Sequence, residues 1–219
     1  MAIPKIIFQT FKSKDLPFLT RWHINNFRRR NPEYNYEFYD DERIEKFFLE
    51  ECGEDMLKAY KRLNIGAAKA DMFRYAILFK KGGVYLDIDS GIKGKLSSFI
   101  NSKDKAIITN EGNPGLYVQW ALIYEANHPF LKRALDIVLE NISLNKFPND
   151  VHAMTGPTVY TQAVNECLKE DPSIPHRFLG VDYQGHLISK YKFGKFFLYK
   201  RSDHWKKKQL DTPVIKPEI

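Results

Sequence analysis

GAAKADMFRYAILFKKGGVYLDIDSG, which runs from Gly66 to Gly91, changes its period halfway along, and that change decides the fold. Up to Lys81 the spacing is helical. Ala67, Ala68, Met72, Tyr75, Ala76 and Phe79 form a broad apolar stripe, while Asp71 and Arg74, three apart, project from one face. Lys80 and Lys81 occupy the last turn, where cations are favoured, and Gly82-Gly83 supplies the stop. From there the period is two. Val84, Leu86 and Ile88 point one way, and Tyr85, Asp87 and Asp89 the other. Two carboxylates roughly 6–7 Å apart on one strand face are costly without a cation nearby. A divalent metal held by such carboxylates is the usual neutraliser of a diphosphate, and open α/β sheets bind ligands at the carboxyl ends of their strands. The plainer alternative, two solvated aspartates at a strand end, suits Asp89 but not a unit preceded by so apolar a run.

The stretch ADMFRYAILFKKGGVYLDIDS, with Asp-x-x-Arg-Tyr, Gly-Gly and Asp-x-Asp at this spacing, resembles the glycosyltransferases with a DXD sugar-binding motif. That family includes yeast outer-chain mannosyltransferases, α-1,4-galactosyltransferases and bacterial capsule and lipopolysaccharide enzymes. The chain opens on Ile3-Pro4-Lys5-Ile6-Ile7-Phe8-Gln9-Thr10-Phe11, which is similar to the family's opening, with Phe8 in place of a histidine and Phe11 in place of a tryptophan. Phe11 keeps an aromatic face that could lie on a base, or it packs in the core. Phe8 reads as core.

At 219 residues the chain suits one domain, read as 1–219 with 210–219 as a loose tail. A hydrophobic share of 43% and aromatics at 14% argue for an ordinary core rather than disorder. No apolar run has membrane-spanning length and no signal-peptide pattern opens the chain. The expectation is therefore a cytoplasmic protein. Cys52 and Cys167 are distant and read as reduced thiols. The net charge of +7 allows peripheral contact with the anionic inner face of a membrane, or simply a solvated basic surface. Nucleic acid has charge alone in its favour. No zinc spacing, glycine clamp or basic-aromatic interleaving supports it, so no nucleic-acid partner is expected.

Around the organising stretch, strands and helices alternate as in a nucleotide-binding α/β unit. Phe18 to Arg30 reads as an amphipathic helix, and Tyr34 to Tyr39 as a strand. Asp41 is the expected cap of a helix from Glu42 to Glu50, followed by a helix from Asp55 to Leu63. Lys105 to Thr109 and Leu116 to Glu125 read as strands, with Gln119 and Trp120 as the residues to watch. His128 reads as a cap or packing residue before a helix from Phe130 to Ile142. Thr155-Gly156-Pro157 precedes a helix from Thr158 to Lys169 and also matches a family loop beside the donor site.

The resemblance implies an α/β fold of the GT-A type, a mixed sheet flanked by helices, built to bind a nucleotide sugar through Mn²⁺ or Mg²⁺. A UDP-sugar is favoured over a GDP-sugar, and the acceptor would be a glycan or lipid-linked oligosaccharide of surface polysaccharide synthesis. By the same resemblance Asp87 touches ribose or donor sugar and Asp89 holds the metal. Asp71 and Arg74 fix sugar hydroxyls and phosphate, Gln9, Thr10 and Phe11 frame the base, and Thr155 and Gly156 lie beside the donor. The family retains anomeric configuration. His204, in Lys200-Arg201-Ser202-Asp203-His204-Trp205-Lys206, is either a late metal ligand or part of a basic surface. A rival reading takes Asp87 as the nucleophile of a haloacid-dehalogenase-type phosphohydrolase. That motif normally lies near a chain's start, and no later aspartate pair completes it.

Overall fold

The computed structural model describes residues 2–191, 198 and 209–216. In chain order the elements are β1 (Ile6–Thr10), α1 (Phe18–Arg30), β2 (Asn35–Tyr39), α2 (Asp41–Phe47), a π-helical turn (Phe48–Cys52), α3 (Glu54–Arg62) and α4 (Gly66–Lys81). Then come β3 (Gly83–Leu86), β4 (Gly91–Ile92), β5 (Ala106–Asn110), β6 (Ala121–Tyr124), α5 (Pro129–Leu144), α6 (Val151–Met154), α7 (Pro157–Glu170), β7 (Arg177–Val181) and β8 (Leu187–Ile188). The central sheet runs β2-β1-β3-β6-β5-β7, and β4 pairs with β8 in a small ribbon. β1 is parallel to β2 and β3, β6 is antiparallel to β3 and β5, and β5 is parallel to β7.

The period-two alternation sorts the core into two layers. Val84 and Leu86 of β3 join Ile7, Ile107, Ala121 and Ile123 on the face covered by α1 and the β4–β8 ribbon. Tyr85 joins Phe8, Ala106, Ile108, Leu122 and Tyr124 on the face covered by α2 to α7. Successive strand residues face opposite ways, so both layers are filled from the same strands. Phe8 is wholly buried beside Tyr39, as the reading of it as core requires.

The join between α4 and β3 needs its two glycines. Gly82 and Gly83 have φ of +64° and +114°, where a side chain is strained. A Cβ on Gly83 would lie 2.8 Å from the Ile6 carbonyl oxygen, and one on Gly82 2.7 Å from the Ala126 nitrogen. Glycine here lets β3 lie tight against β1 immediately after the helix ends.

Several boundaries differ from the sequence reading. Asp40, not Asp41, caps α2. It keeps the extended backbone of the strand it leaves, and its carboxylate accepts the Arg43 N–H at 2.9 Å, while Asp41 is already helical. The strand expected over Leu116 to Glu125 shrinks to β6, because the Gln119 carbonyl turns inward to accept from Arg74. The loose tail is corrected over residues 212–216. Val214 and Ile215 are buried, Asn64 N–H donates to the Val214 carbonyl at 2.8 Å, and Ile215 bridges to Leu63. The two branched side chains cover the turn between α3 and α4, where burial outweighs the entropy of a free tail. Among the described residues no helix is long and apolar enough to cross a membrane.

Candidate functional site

β3 ends at Leu86, so the two motif aspartates do not share a strand face. Asp87 starts a turn, anchored by its N–H to the Trp120 carbonyl at 2.8 Å, and its own carbonyl accepts from Ser90 N–H. Tyr85 and Asp87 do lie on one side, and the Tyr85 hydroxyl donates to Asp87 Oδ1 at 3.3 Å. Asp89 is buried, its carbonyl accepting the Tyr191 N–H at 2.9 Å. Two carboxylates at the carboxyl end of a central strand survive the separation. Their equivalence does not.

Behind Asp87 lies a buried polar network built from α4. Arg74 divides its guanidinium among four acceptors: Asp87 Oδ1 at 2.8 Å, the Gln119 carbonyl at 2.8 Å, Gln119 Oε1 at 2.9 Å and the Ala70 carbonyl at 3.4 Å. It also lies 3.3 Å from Asp71 Oδ1 and sits over the Tyr85 ring. The Gln119 amide donates to Asp71 and to the Tyr75 hydroxyl. Thr155 Oγ1 donates to the other oxygen of Asp71 at 2.9 Å. The Tyr75 hydroxyl in turn donates to the Thr155 and Gly156 carbonyls. Apart from the second, exposed oxygen of Asp87, the polar groups of this cluster are paired, which is what a buried network needs if it is to stiffen rather than weaken the core.

The predicted residues thus fall into groups. Asp71, Arg74, Asp87 and Thr155 come together directly, and Gly156 joins through its carbonyl. Gln9 and Thr10 stand as struts at the end of β1. Gln9 donates to the Asp87 carbonyl at 2.9 Å and accepts from Tyr36, while Thr10 donates to the Tyr39 carbonyl. Phe11 follows them, half-buried, with its N–H on the Tyr39 carbonyl. His204 lies outside the described residues. Tyr75 and Tyr85 were read from the sequence as an apolar stripe and a strand face. Their hydroxyls carry the network, and the signal was available: a tyrosine buried beside Arg and Asp seeks a partner for its O–H.

Burial pushes the Asp87 carboxyl up to about 7; the Arg74 charge opposes this, and Asp89 and Asp71 add to it. Its side chain nonetheless keeps 30% of its surface exposed, so water still reaches it and the direction matters more than the size. Asp71 is also raised, by burial first, against Arg74 and the hydrogen bonds from Thr155 and Gln119. Among the described residues no three His, Cys, Asp or Glu side chains gather as a metal cage. Two carboxylates suit a divalent ion that takes its remaining ligands from water and a diphosphate, as Mg²⁺ commonly does. Asp87 and Asp89 fit that pattern.

Residues 17–111 match the family model described as a glycosyltransferase sugar-binding region containing DXD motif. The uncharacterized glycosyltransferase L373 of Acanthamoeba polyphaga mimivirus is 29% identical, over 78% of this chain and 68% of that protein. The initiation-specific alpha-1,6-mannosyltransferase of Schizosaccharomyces pombe is 26% identical over 76% of this chain and 49% of its own length. Inositol phosphoceramide mannosyltransferase 1 of the same yeast is 31% identical over 74% of this chain and 48% of its length. The chain therefore spans about half the length of these two yeast relatives. Among solved structures, the PaToxG glycosyltransferase superposes with a TM-score of 0.66 at 21% identity, covering 78% of this chain and 71% of that one. The ligand-free glycosyltransferase domain from the YGT toxin gives 0.61 at 10% identity, over 90% and 82%. At such identities the likeness speaks for the fold, which is the GT-A type. Within that fold, Asp71, Arg74, Asp87 and Asp89 all fall inside residues 17–111, the stretch that matches the glycosyltransferase sugar-binding region containing DXD motif.

Proposed function

We propose that this chain is a glycosyltransferase that moves a hexose from a nucleotide sugar to a glycan or lipid-linked acceptor, with Mn²⁺ or Mg²⁺ on the diphosphate and retention at the anomeric carbon. The observation that carries the reading is the presentation of Asp87. One carboxylate oxygen is held by Arg74 and Tyr85, and the other makes no hydrogen bond among the described residues. An oriented acceptor at the end of a central strand is what a sugar or ribose hydroxyl requires.

Asp89, with Asp87, would hold the divalent ion. A cation there would neutralise charge developing on the departing diphosphate. Asp71 and Arg74 are too deeply buried in this arrangement to meet a donor without rearrangement. Their role is then to set the direction and charge of Asp87. Gln9 holds the Asp87 backbone, and Phe11 at the end of β1 offers a ring for the base. In a retaining transfer the acceptor enters on the face the diphosphate leaves, and no side-chain nucleophile is required. The yeast relatives, named as mannosyltransferases, make mannose the first sugar to try. A fold neighbour solved with UDP makes uridine the first base.

The phosphohydrolase reading is weaker, because the stretch that carries Asp87 matches a glycosyltransferase sugar-binding region. The test is a panel of nucleotide sugars assayed for hydrolysis and thermal stabilisation with Mn²⁺ and with EDTA. Metal-dependent turnover of at least one donor is expected. Full turnover in EDTA, or stable beryllium fluoride labelling at Asp87, would overturn the assignment.

A further inference from the structure

The outer face of α1 is the surface the structure leaves unexplained. Thr20, Ile24 and Phe27 point into the core, and the opposite side repeats at helical spacing as Phe18, Trp22, Asn25 and Arg29, with Arg21 alongside. Phe18 is 76% exposed and Trp22 51%. The helix contains no acidic residue and ends in Arg28, Arg29 and Arg30. Arg28 lies over the Tyr36 ring and Arg30 donates to the Lys93 carbonyl. Arg21 and Arg29 have no acidic partner among the described residues. Two large apolar side chains left in water beside arginines with no opposing charge on the helix form an apolar and basic surface patch.

We propose that this face docks on an anionic phospholipid surface. The charge is complementary to acidic headgroups, and Trp and Phe are the side chains that settle at the headgroup boundary. The place of this face in the fold fits a lipid-borne acceptor. Residues 11–17 link the carboxyl end of β1 to the start of α1, so Phe18 lies on the side of the sheet where Asp87 and Asp89 sit. A chain of contacts joins the two. Trp22 meets His23 edge-on, His23 stacks on Tyr191 at 3.9 Å, Thr20 hydrogen-bonds the Tyr191 hydroxyl, and Tyr191 N–H holds the Asp89 carbonyl. Docking at α1 would bring the aspartate turn to the membrane without any spanning segment. The docking itself does not rest on sugar transfer and can fail or hold independently of it.

The experiment is flotation of the full chain with phosphatidylcholine vesicles containing or lacking phosphatidylserine, at low and high salt. Binding is expected only with phosphatidylserine and is expected to weaken with salt. Phe18→Ser with Trp22→Ser should reduce it about tenfold or more. Arg21→Gln with Arg29→Gln should reduce it about 25-fold, at roughly a factor of five per charge. All four side chains are on the surface, so unchanged circular-dichroism melting is expected in both variants. Equal flotation on both vesicles, or flotation indifferent to both variants, overturns the proposal. So does a concentration-dependent dimer abolished by Phe18→Ser with Trp22→Ser when vesicles are not bound, which would give the face to a second copy. Retention on polyuridylic acid lost with the two arginines, again without vesicle binding, would give it to nucleic acid.

Discussion

Two arginine–carboxylate clusters sit at different places on the sheet and solve different problems. At the outer edge, Arg177 of β7 meets Asp104 through two parallel bonds, Nε to Oδ1 at 2.8 Å and a terminal nitrogen to Oδ2 at 2.7 Å, and adds the Phe99 carbonyl. Asp104 spends what remains on the Asn101 N–H. That pair is closed: both carboxylate oxygens are used, and it can only hold the edge together. In the centre, Arg74 reaches Asp87 through one oxygen and spends the rest of its fork on Gln119, Asp71 and the Ala70 carbonyl. The division leaves Asp87 oriented but unsaturated. A fork fully spent on one carboxylate makes a staple. A fork shared among several acceptors can aim one of them outward.

Arg74→Leu should break the contrast most severely, since Asp71 and Asp87 would lose their common cation in a buried site. A loss of about 3–5 kcal/mol in urea unfolding is expected, together with loss of turnover. Arg74→Lys keeps the charge without the fork, and kcat/KM is expected to fall roughly 10–100-fold with the fold intact. A variant as active as the parent would reduce Arg74 to a structural ion. Asp89→Asn comes next, with a fall of about 10²–10³-fold in donor turnover and a raised Mn²⁺ requirement in metal titration. Asp104→Asn should do the opposite of both. It is expected to cost about 1–3 kcal/mol of stability while leaving kinetics unchanged, and a kinetic defect there would erase the distinction between staple and aim.

The smallest effect is in pH. Asp104 is drawn up by burial, yet the Arg177 and Asn101 hydrogen bonds win and hold it below the ordinary range. Its contribution is present above the unfolded pKa of about 3.9 and is lost as pH falls through the lower folded value. Asp87 is raised, to about 7, so the sign reverses. Its contribution is full below about pH 4 and is lost as pH rises through neutrality. Without donor, unfolding of the wild type compared with Asp87→Asn should show a decline on the order of 1 kcal/mol across that window, muted by water at the open oxygen. Cation binding should strengthen over the same interval. A flat comparison would place Asp87 in solvent.

The switch of period at Gly82-Gly83 and the three-residue spacing of Asp71 and Arg74 were legible in the sequence, because both follow from local geometry alone. So was the His128 cap, whose Nδ1 accepts the Phe130 N–H. The end of β3 was not. Whether a strand continues past Leu86 depends on its neighbours, and there Trp120 and Tyr191 capture the backbone of Asp87 and Asp89. The role of Gln119 was equally hidden. It stands 48 residues from Asp71 and 45 from Arg74, and no periodic pattern links such positions. Gln9 and Thr10 looked like groups that frame a ligand. Buried, they serve the backbone, and only the fold distinguishes the two uses.

The docking of Val214 and Ile215 on the turn before α4 has a consequence for how the protein is made. Synthesis is vectorial, and α4 emerges from the ribosome long before the residues that cover its start. Asn64 and Leu63 meet their partners only after residues 212–216 appear. Until then the turn carrying the arginine helix has an open apolar side, a surface that nascent chains commonly lend to chaperones. The helix that aims Asp87 is thus sealed only once residues 212–216 have left the ribosome, and a chain lacking them would leave that helix open at its first turn.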